Sequence, residues 1–368
     1  MRPLEMVRLG VLGLLFVLSL LVVVPAPTTL AWMLSILAAE WGYLIAIVVV
    51  ILISLPWRRR MARWTGFALG TPTIVLSCLP LVQAYPIATA LDANMQNAFG
   101  QTGAPAAAYT VRRAATTYIV DRTTGAALGI DLYQPVSHAP APCVVVIHGG
   151  SWAHGERTEL APLNTYLAQR GYVVATIDYR LAPAHPFLAA RNDVRAAIEY
   201  LQQHASQFGI DATRIILLGR SAGGQLALLT AYTAHDPAIR GVIGLYAPTD
   251  LRFGYAHPSN PHVLNSRSVL RTYLGGSPDQ VGTQYDLASP INFVDSTTVP
   301  TLLIHGQHDA LVSVRQAERL DSVLAVAKRP HLFLTLPWAT HGCDFNFNGP
   351  CGRISREAIL RFVTKVTE

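Results

Sequence analysis

The sequence predicts an α/β protein, a mostly parallel central sheet with helices on both faces, preceded by an apolar N-terminal region. Three observations carry this. From about residue 110 onward, short apolar runs alternate with stretches of helical period. Before residue 92 lie three longer apolar stretches, the length scale of a bilayer. Serine, aspartate, histidine and paired glycines follow several of the short runs, where loops at strand ends would carry chemistry.

The N-terminal region accounts for most of the apolar excess in a chain that is 51% hydrophobic and only 14% charged. Leu9–Val24 is short; Leu30–Leu55 is long enough to span with some tilt; Thr65–Leu91 is interrupted by Pro72, Pro80 and Pro86. Arg2 and Arg8 precede the first stretch, but no small-residue cleavage site follows it, which favours a retained helix over a removed leader. Residues 1–64 carry six arginines against Glu5 and Glu40, four of the chain's net charge of +6. "WRRRMARW" (57–64) sets four of them on the cytoplasmic side, flanked by Trp57 and Trp64 as interface aromatics. Three spans would then put the remainder of the chain outside the cytoplasm, and two would leave it inside. Glu40, an acid within the second stretch, reads as a wet or bundle-facing structural group. The rest of the chain has no basic stripe, which argues against a nucleic-acid partner.

The expected domains are a membrane region at 1–92, a linker at 93–109 around "GQTGAPAAAY", and an α/β domain at 110–368. Within that domain the opening strands are Tyr118–Val120 and Leu128–Tyr133. Buried strands follow at Cys143–Ile147, Tyr172–Ile177, Ile215–Leu218, Gly241–Tyr246, Thr301–Ile304 and His331–Leu336. Helices are expected at Leu160–Arg170, Ala189–His204, Gln225–Ala234 and Arg353–Val366. Residues 251–294 have no strand of their own and read as a cap, with Phe253, Tyr255, Tyr273 and Tyr285 available to line a pocket.

Ser221 stands in Gly219-Arg220-Ser221-Ala222-Gly223, between a strand and a helix. A nucleophile held there needs a sharp turn, and its small neighbours let other backbone approach. "HGGSWAHGER" (148–157) follows a strand, so the N–H groups of Gly149 and Gly150, with that of Ala222, can converge on an oxyanion. His148 reads as a loop-holding residue. A serine needs a base, itself oriented by an acid. "LLIHGQHDALV" offers Asp309 and "LPWATHGCDF" offers His341, both in loops after strands. Asp250, Asp295 and Asp344 are the rival acids; His305 and His308 read as packing beside Asp309.

"HGGSW", "DYRLAPAHPF", "GRSAGG", "HGQHDALV" and "THG" together resemble the α/β-hydrolase superfamily over about residues 110–368. Within it they are similar to carboxylesterases related to hormone-sensitive lipase and to the bacterial feruloyl and acetyl esterase-like (BD-FAE-like) enzymes. The resemblance implies Ser221 as nucleophile, Asp309 as acid and His341 as base. Ser151 stands where the former branch has a third glycine, Arg220 where it usually has aspartate, and Leu188 where it usually has proline.

The expectation is a membrane-tethered serine hydrolase of small to medium carboxylic esters, working through an acyl-enzyme. A peptidase, amidase or glycan deacetylase on the same fold is the alternative, since fold alone does not separate them. A catalytically dead binding or sensing module is a third reading, disfavoured by the complete Ser/Asp/His set. The expected partners are a small ester and, through the N-terminal helices, a lipid bilayer. Neither a zinc spacing nor a nucleotide motif is legible, so no cofactor is expected. Cys343 and Cys351 could pair in an oxidising compartment and brace the His341 loop.

Overall fold

The computed structural model describes residues 3–101, 103, 108–120, 127–137 and 139–368. Arg2 and part of the expected linker, at 102 and 104–107, lie outside the described residues.

Four helices come first: α1 (Pro3–Leu20), α2 (Thr29–Glu40), α3 (Gly42–Ser54) and α4 (Arg60–Phe99). Of these, α1 and α4 are long and apolar enough to cross a membrane, while α2 and α3 make a third span only as a pair bent by 76°. The expected second stretch is therefore broken. The break has a polar cause: the Glu40 carbonyl accepts from Asn346 Nδ2 (3.0 Å), and its carboxylate accepts from the Cys351 N–H (3.1 Å) and the Trp338 indole (3.3 Å). Gly42 then presses on the Ser77 carbonyl of α4, where a Cβ would collide. Conversely, the proline-interrupted third stretch is the longest helix in the chain. It packs along α1, α3 and the C-terminal helix, and with few other partners for its backbone the helix continues past each proline. Forty residues make a helix of about 60 Å, roughly twice the hydrocarbon thickness. Residues 93–99, expected in the linker, are its last turns.

The two ends of the helical region differ. At one end, Glu5 Oε1 accepts from the Arg58 N–H (3.0 Å) and Arg8 donates to the Leu55 carbonyl (2.8 Å), tying the start of α1 to the arginine-rich turn. At the other end, Val22 and α2 meet the α/β domain.

That domain contains β1 (Val111–Val120), β2 (Ala127–Pro135), β3 (Ala141–Ile147), α5 (Ala161–Ala168), β4 (Val173–Ile177), α6 (Ala189–Gln203), α7 (Ala205–Phe208), β5 (Ile210–Arg220), α8 (Ala222–Ala234) and β6 (Ile239–Leu245). Then come α9 (Leu251–Ala256), α10 (Ser266–Leu274), α11 (Pro278–Leu287), β7 (Thr301–Gly306), α12 (Arg315–Val326), β8 (His331–Leu336) and α13 (Pro350–Thr367). Among the described residues the strands form one sheet in the order β1-β2-β4-β3-β5-β6-β7-β8. The β1–β2 and β2–β4 pairs are antiparallel and the rest parallel. Alternate residues of β3 enter opposite layers. Cys143, Val145 and Ile147 pack with α6 and α8, Val144 and Val146 with α5 and α13. Burial on both faces is why these strands read as unbroken apolar runs. Leu91 and Met95 of α4 join the second layer, and Phe99 meets Phe362 edge-on at 5.0 Å.

Candidate active site

All the singled-out loops leave the C-terminal edge of the parallel strands. Ser221 links β5 to α8 with φ 51°, a conformation that costs energy for a residue with a Cβ. The flanking glycines explain how the turn fits. A Cβ on Gly219 would collide with the Gly223 carbonyl, and one on Gly223 with the carbonyls of Ile147 and His148. Gly149 is less crowded but still close, its Cβ position 3.1 Å from the Arg220 carbonyl oxygen and 3.4 Å from Ser221 Cβ.

Ser221 Oγ lies 2.9 Å from His341 Nε2, and His341 Nδ1 lies 2.7 Å from Asp309 Oδ2. Asp309 accepts only, so Nδ1 carries the proton and Nε2 is left to take one from the hydroxyl. Asp309 is held from several sides. Oδ1 accepts from the N–H groups of Leu311 (2.9 Å) and Val312 (2.8 Å), and His305 Nε2 lies 3.1 Å from Oδ2. Burial alone would push the Asp309 carboxyl up, but His341 and His305 beside it hold it well below the usual carboxylate range. Among the described residues, the N–H groups of Gly149, Gly150 and Ala222 donate to no protein acceptor.

The rival acids are otherwise engaged. Asp250 caps α9 and pairs with Arg319; Asp295 closes a turn with Thr297. His148 stacks on Tyr179 at 4.2 Å and donates from Nδ1 to the Gly149 carbonyl at 2.7 Å; burial holds its pKa below the ordinary imidazole value. His305 packs on Asp309, whereas His308 turns to the N-terminal region and donates to the Val22 carbonyl at 3.0 Å.

Two groupings escaped the sequence reading. Arg220 and Asp344 form a buried pair at 2.6 Å, and the Tyr246 hydroxyl donates to the other carboxylate oxygen at 2.6 Å. The Tyr246 ring lies 4.5 Å from the His341 ring, so this cluster backs the histidine. Burial works against the Arg220 charge, but Asp344, together with Tyr246 and Glu159, outweighs it and raises the pKa. The only signal in the sequence was Arg220 beside Ser221 and Asp344 just past His341. Second, Trp152 stacks on Tyr273 at 4.1 Å and donates to Gln225 Oε1 at 2.9 Å, fastening the Gly149–Gly150 loop to α8. Cys343 and Cys351 are joined by a disulfide in the loop after His341.

A cavity of about 140 Å³ opens at Ser221 and His341. Its apolar wall is Leu251, Leu264, Val269, Leu270 and Leu311, from the 251–294 excursion and the Asp309 loop. None of the four aromatics expected to line a pocket does so. Tyr273 is under Trp152, Tyr255 and Tyr285 pack edge-on, and Phe253 sits under Arg319. Aromatic rings in that excursion are spent on packing, within it and against Trp152 and Arg319.

With this geometry, the comparisons with known proteins agree on the fold. The BD-FAE family model matches residues 130–324, more than half of the chain. The chain belongs to the BD-FAE family. Esterase LipC of Mycobacterium tuberculosis is 31% identical over 242 residues, 62% of this chain and 59% of that protein. A probable carboxylic ester hydrolase of the same organism, LipM, is 31% identical over 221 residues, 55% of this chain and 50% of its own length. The chain thus spans little more than half of these curated relatives. Among solved structures, an esterase of Pyrobaculum calidifontis superposes with a TM-score of 0.60 at 24% identity, covering 86% of this chain and 97% of that one. The fold is that of the α/β-hydrolases. The family match stops before His341 and leaves out the N-terminal helices.

Proposed function

We propose that this BD-FAE protein is a membrane-anchored serine carboxylesterase acting on small to medium carboxylic esters. The observation that carries the reading is the hydrogen-bonded chain Ser221–His341–Asp309 at the mouth of an apolar cavity. Its relatives LipC and LipM, named as an esterase and a probable carboxylic ester hydrolase, support it. Ser221 Oγ attacks the ester carbonyl carbon while His341 Nε2 takes the hydroxyl proton, and Asp309 steadies the imidazolium. The N–H groups of Gly149, Gly150 and Ala222 receive the carbonyl oxygen as it becomes negative. His341 returns the proton to the leaving alkoxide, and the alcohol departs. Water, deprotonated by His341, then attacks the acyl-enzyme, and the acid leaves with Ser221 restored. One ester and one water give one alcohol and one acid.

Anchoring is supported by α1 and α4, the two helices long and apolar enough to cross, while the bent α2–α3 pair between them returns the chain to the arginine-rich turn. With Arg58–Arg63 cytoplasmic, the catalytic domain lies outside the cytoplasm. The Cys343–Cys351 disulfide favours the same, oxidising side. The 251–294 excursion serves as the cap.

The test is hydrolysis of p-nitrophenyl butyrate by full-length protein in detergent. Wild type turns over, and Ser221→Ala loses about 10⁶-fold in kcat while keeping its circular dichroism spectrum. A Ser221→Ala protein as fast as wild type would overturn the assignment.

A further inference from the structure

We propose that the site takes esters with a short acyl group on an alcohol that resides in a phospholipid bilayer, and that the segment Val22–Glu40 seats the cavity mouth on that bilayer. This rests on the esterase reading and the anchoring above, and names the substrate class for the same site.

The segment is bonded to three of the loops that wall the cavity. On the cap side, Thr29 Oγ1 donates to the Val263 carbonyl (2.9 Å), and Asn260 Nδ2 donates to the Pro27 carbonyl (3.2 Å). These bonds flank Ser259 and Leu264, which line the cavity. On the acid side, His308 binds the Val22 carbonyl directly before Asp309. On the base side, the Trp32 indole donates to the His341 carbonyl (3.1 Å), and Glu40 holds the Cys351 N–H across the disulfide. No residue of the segment lines the cavity itself, but it holds the three loops from which the uncleaved part of a substrate would emerge, and so would lie beside it.

The other face of α2 is built for hydrocarbon. Leu30, Met33 and Leu37 share one helix face and are 66%, 51% and 47% exposed. Phe345, next to the residue that binds the Glu40 carbonyl, is 68% exposed. Helix α2 turns 76° from α3, so with α3 along the membrane normal it runs near the membrane plane. This apolar face continues into the exposed apolar sides of α1 and α3, and the occupant is the hydrocarbon boundary of a phospholipid bilayer. The short acyl group follows from the cavity, whose volume is close to that of an engineered cavity that takes one benzene.

The experiment uses full-length protein in phosphatidylcholine nanodiscs with two butyrate esters in competition. Hexadecyl butyrate resides in the disc and glyceryl monobutyrate in water; hexadecanol and glycerol are measured separately. Wild type is expected to release both, and Ser221→Ala neither. Met33→Glu combined with Leu37→Glu is expected to lower the hexadecanol-to-glycerol ratio about tenfold or more. An unchanged ratio overturns the proposal, as does a parallel loss of both activities in a variant whose circular dichroism stays native. Wild type that releases glycerol but no hexadecanol overturns the proposal and leaves the esterase reading standing, whether or not the variant folds. Wild type that cleaves neither ester overturns both.

Discussion

Ile215–Leu218 of β5 and Ile47–Ile51 of α3 are equally apolar runs with opposite fates. The first is fully buried between two helical layers, while Ile47, Val48, Val50 and Ile51 are about half exposed. Under the proposed anchoring, each is folded for a different solvent. The strand must find its apolar partners within the protein, so its neighbours are specified atom by atom. The helix satisfies its backbone internally and can leave its side chains to lipid. The seam between the regions follows the rules of the first. There Glu40, Trp32 and Val22 make hydrogen bonds to the loops that carry Asp309 and His341, and Leu91 and Met95 join the core.

The sharpest way to break the comparison is at its polar centre. Asp309→Asn keeps the size of a buried group that accepts from two histidines and two backbone N–H groups, but favours the wrong His341 tautomer. Ester turnover is expected to fall about 10⁴-fold with the fold retained. An Asp309→Asn protein within tenfold of wild type would mean another acid orients the base.

A paired truncation sharpens it further. Leu217→Ala is expected to destabilise by about 2–5 kcal/mol, because the cavity it leaves is walled by rigid neighbours. Ile47→Ala is expected to cost less than about 1 kcal/mol in detergent, which replaces the lost contacts. Equal losses in denaturant titrations would show that α3 is packed as a core element.

The smallest effect is on pH. Burial lowers the His148 pKa in the folded state, so the unfolded chain binds more protons below its ordinary value. Stability from this residue is complete above about pH 6.5 and is lost as pH falls below it. Asp309, also depressed when folded, acts in the same direction, but only below about pH 4. The melting temperature should be flat from pH 8 to 7, decline from 6.5 to 5, and fall again near 4. His148→Gln should remove the middle decline alone; if it persists, another group titrates there.

Much of the architecture was legible. The buried strands were expected within a few residues of where they lie, because burial on both faces leaves a continuous apolar run. The turn at Ser221 was legible because backbone crowding leaves room only for glycine at Gly219 and Gly223. Helix α12 was missed: its apolar positions are few, and tertiary packing of Ala317, Leu320 and Leu324 settles it. The prolines of α4 pointed to a break because local rules assume water as the alternative partner for the backbone.

By itself, the sequence determined which residue types follow which strands, and so which serine, acid and histidine were available to meet. It also determined that the first quarter, residues 1–92, carries most of the apolar excess. Only the tertiary structure decided that His305 supports Asp309, that Arg220, Asp344 and Tyr246 back His341, and that α2 binds the loop that carries His341. The physical reason is range. Periodicity and turn chemistry act over a few neighbouring residues, whereas Trp32 and His341 are separated by 309 positions and meet only because two surfaces distant in sequence have complementary donors and acceptors.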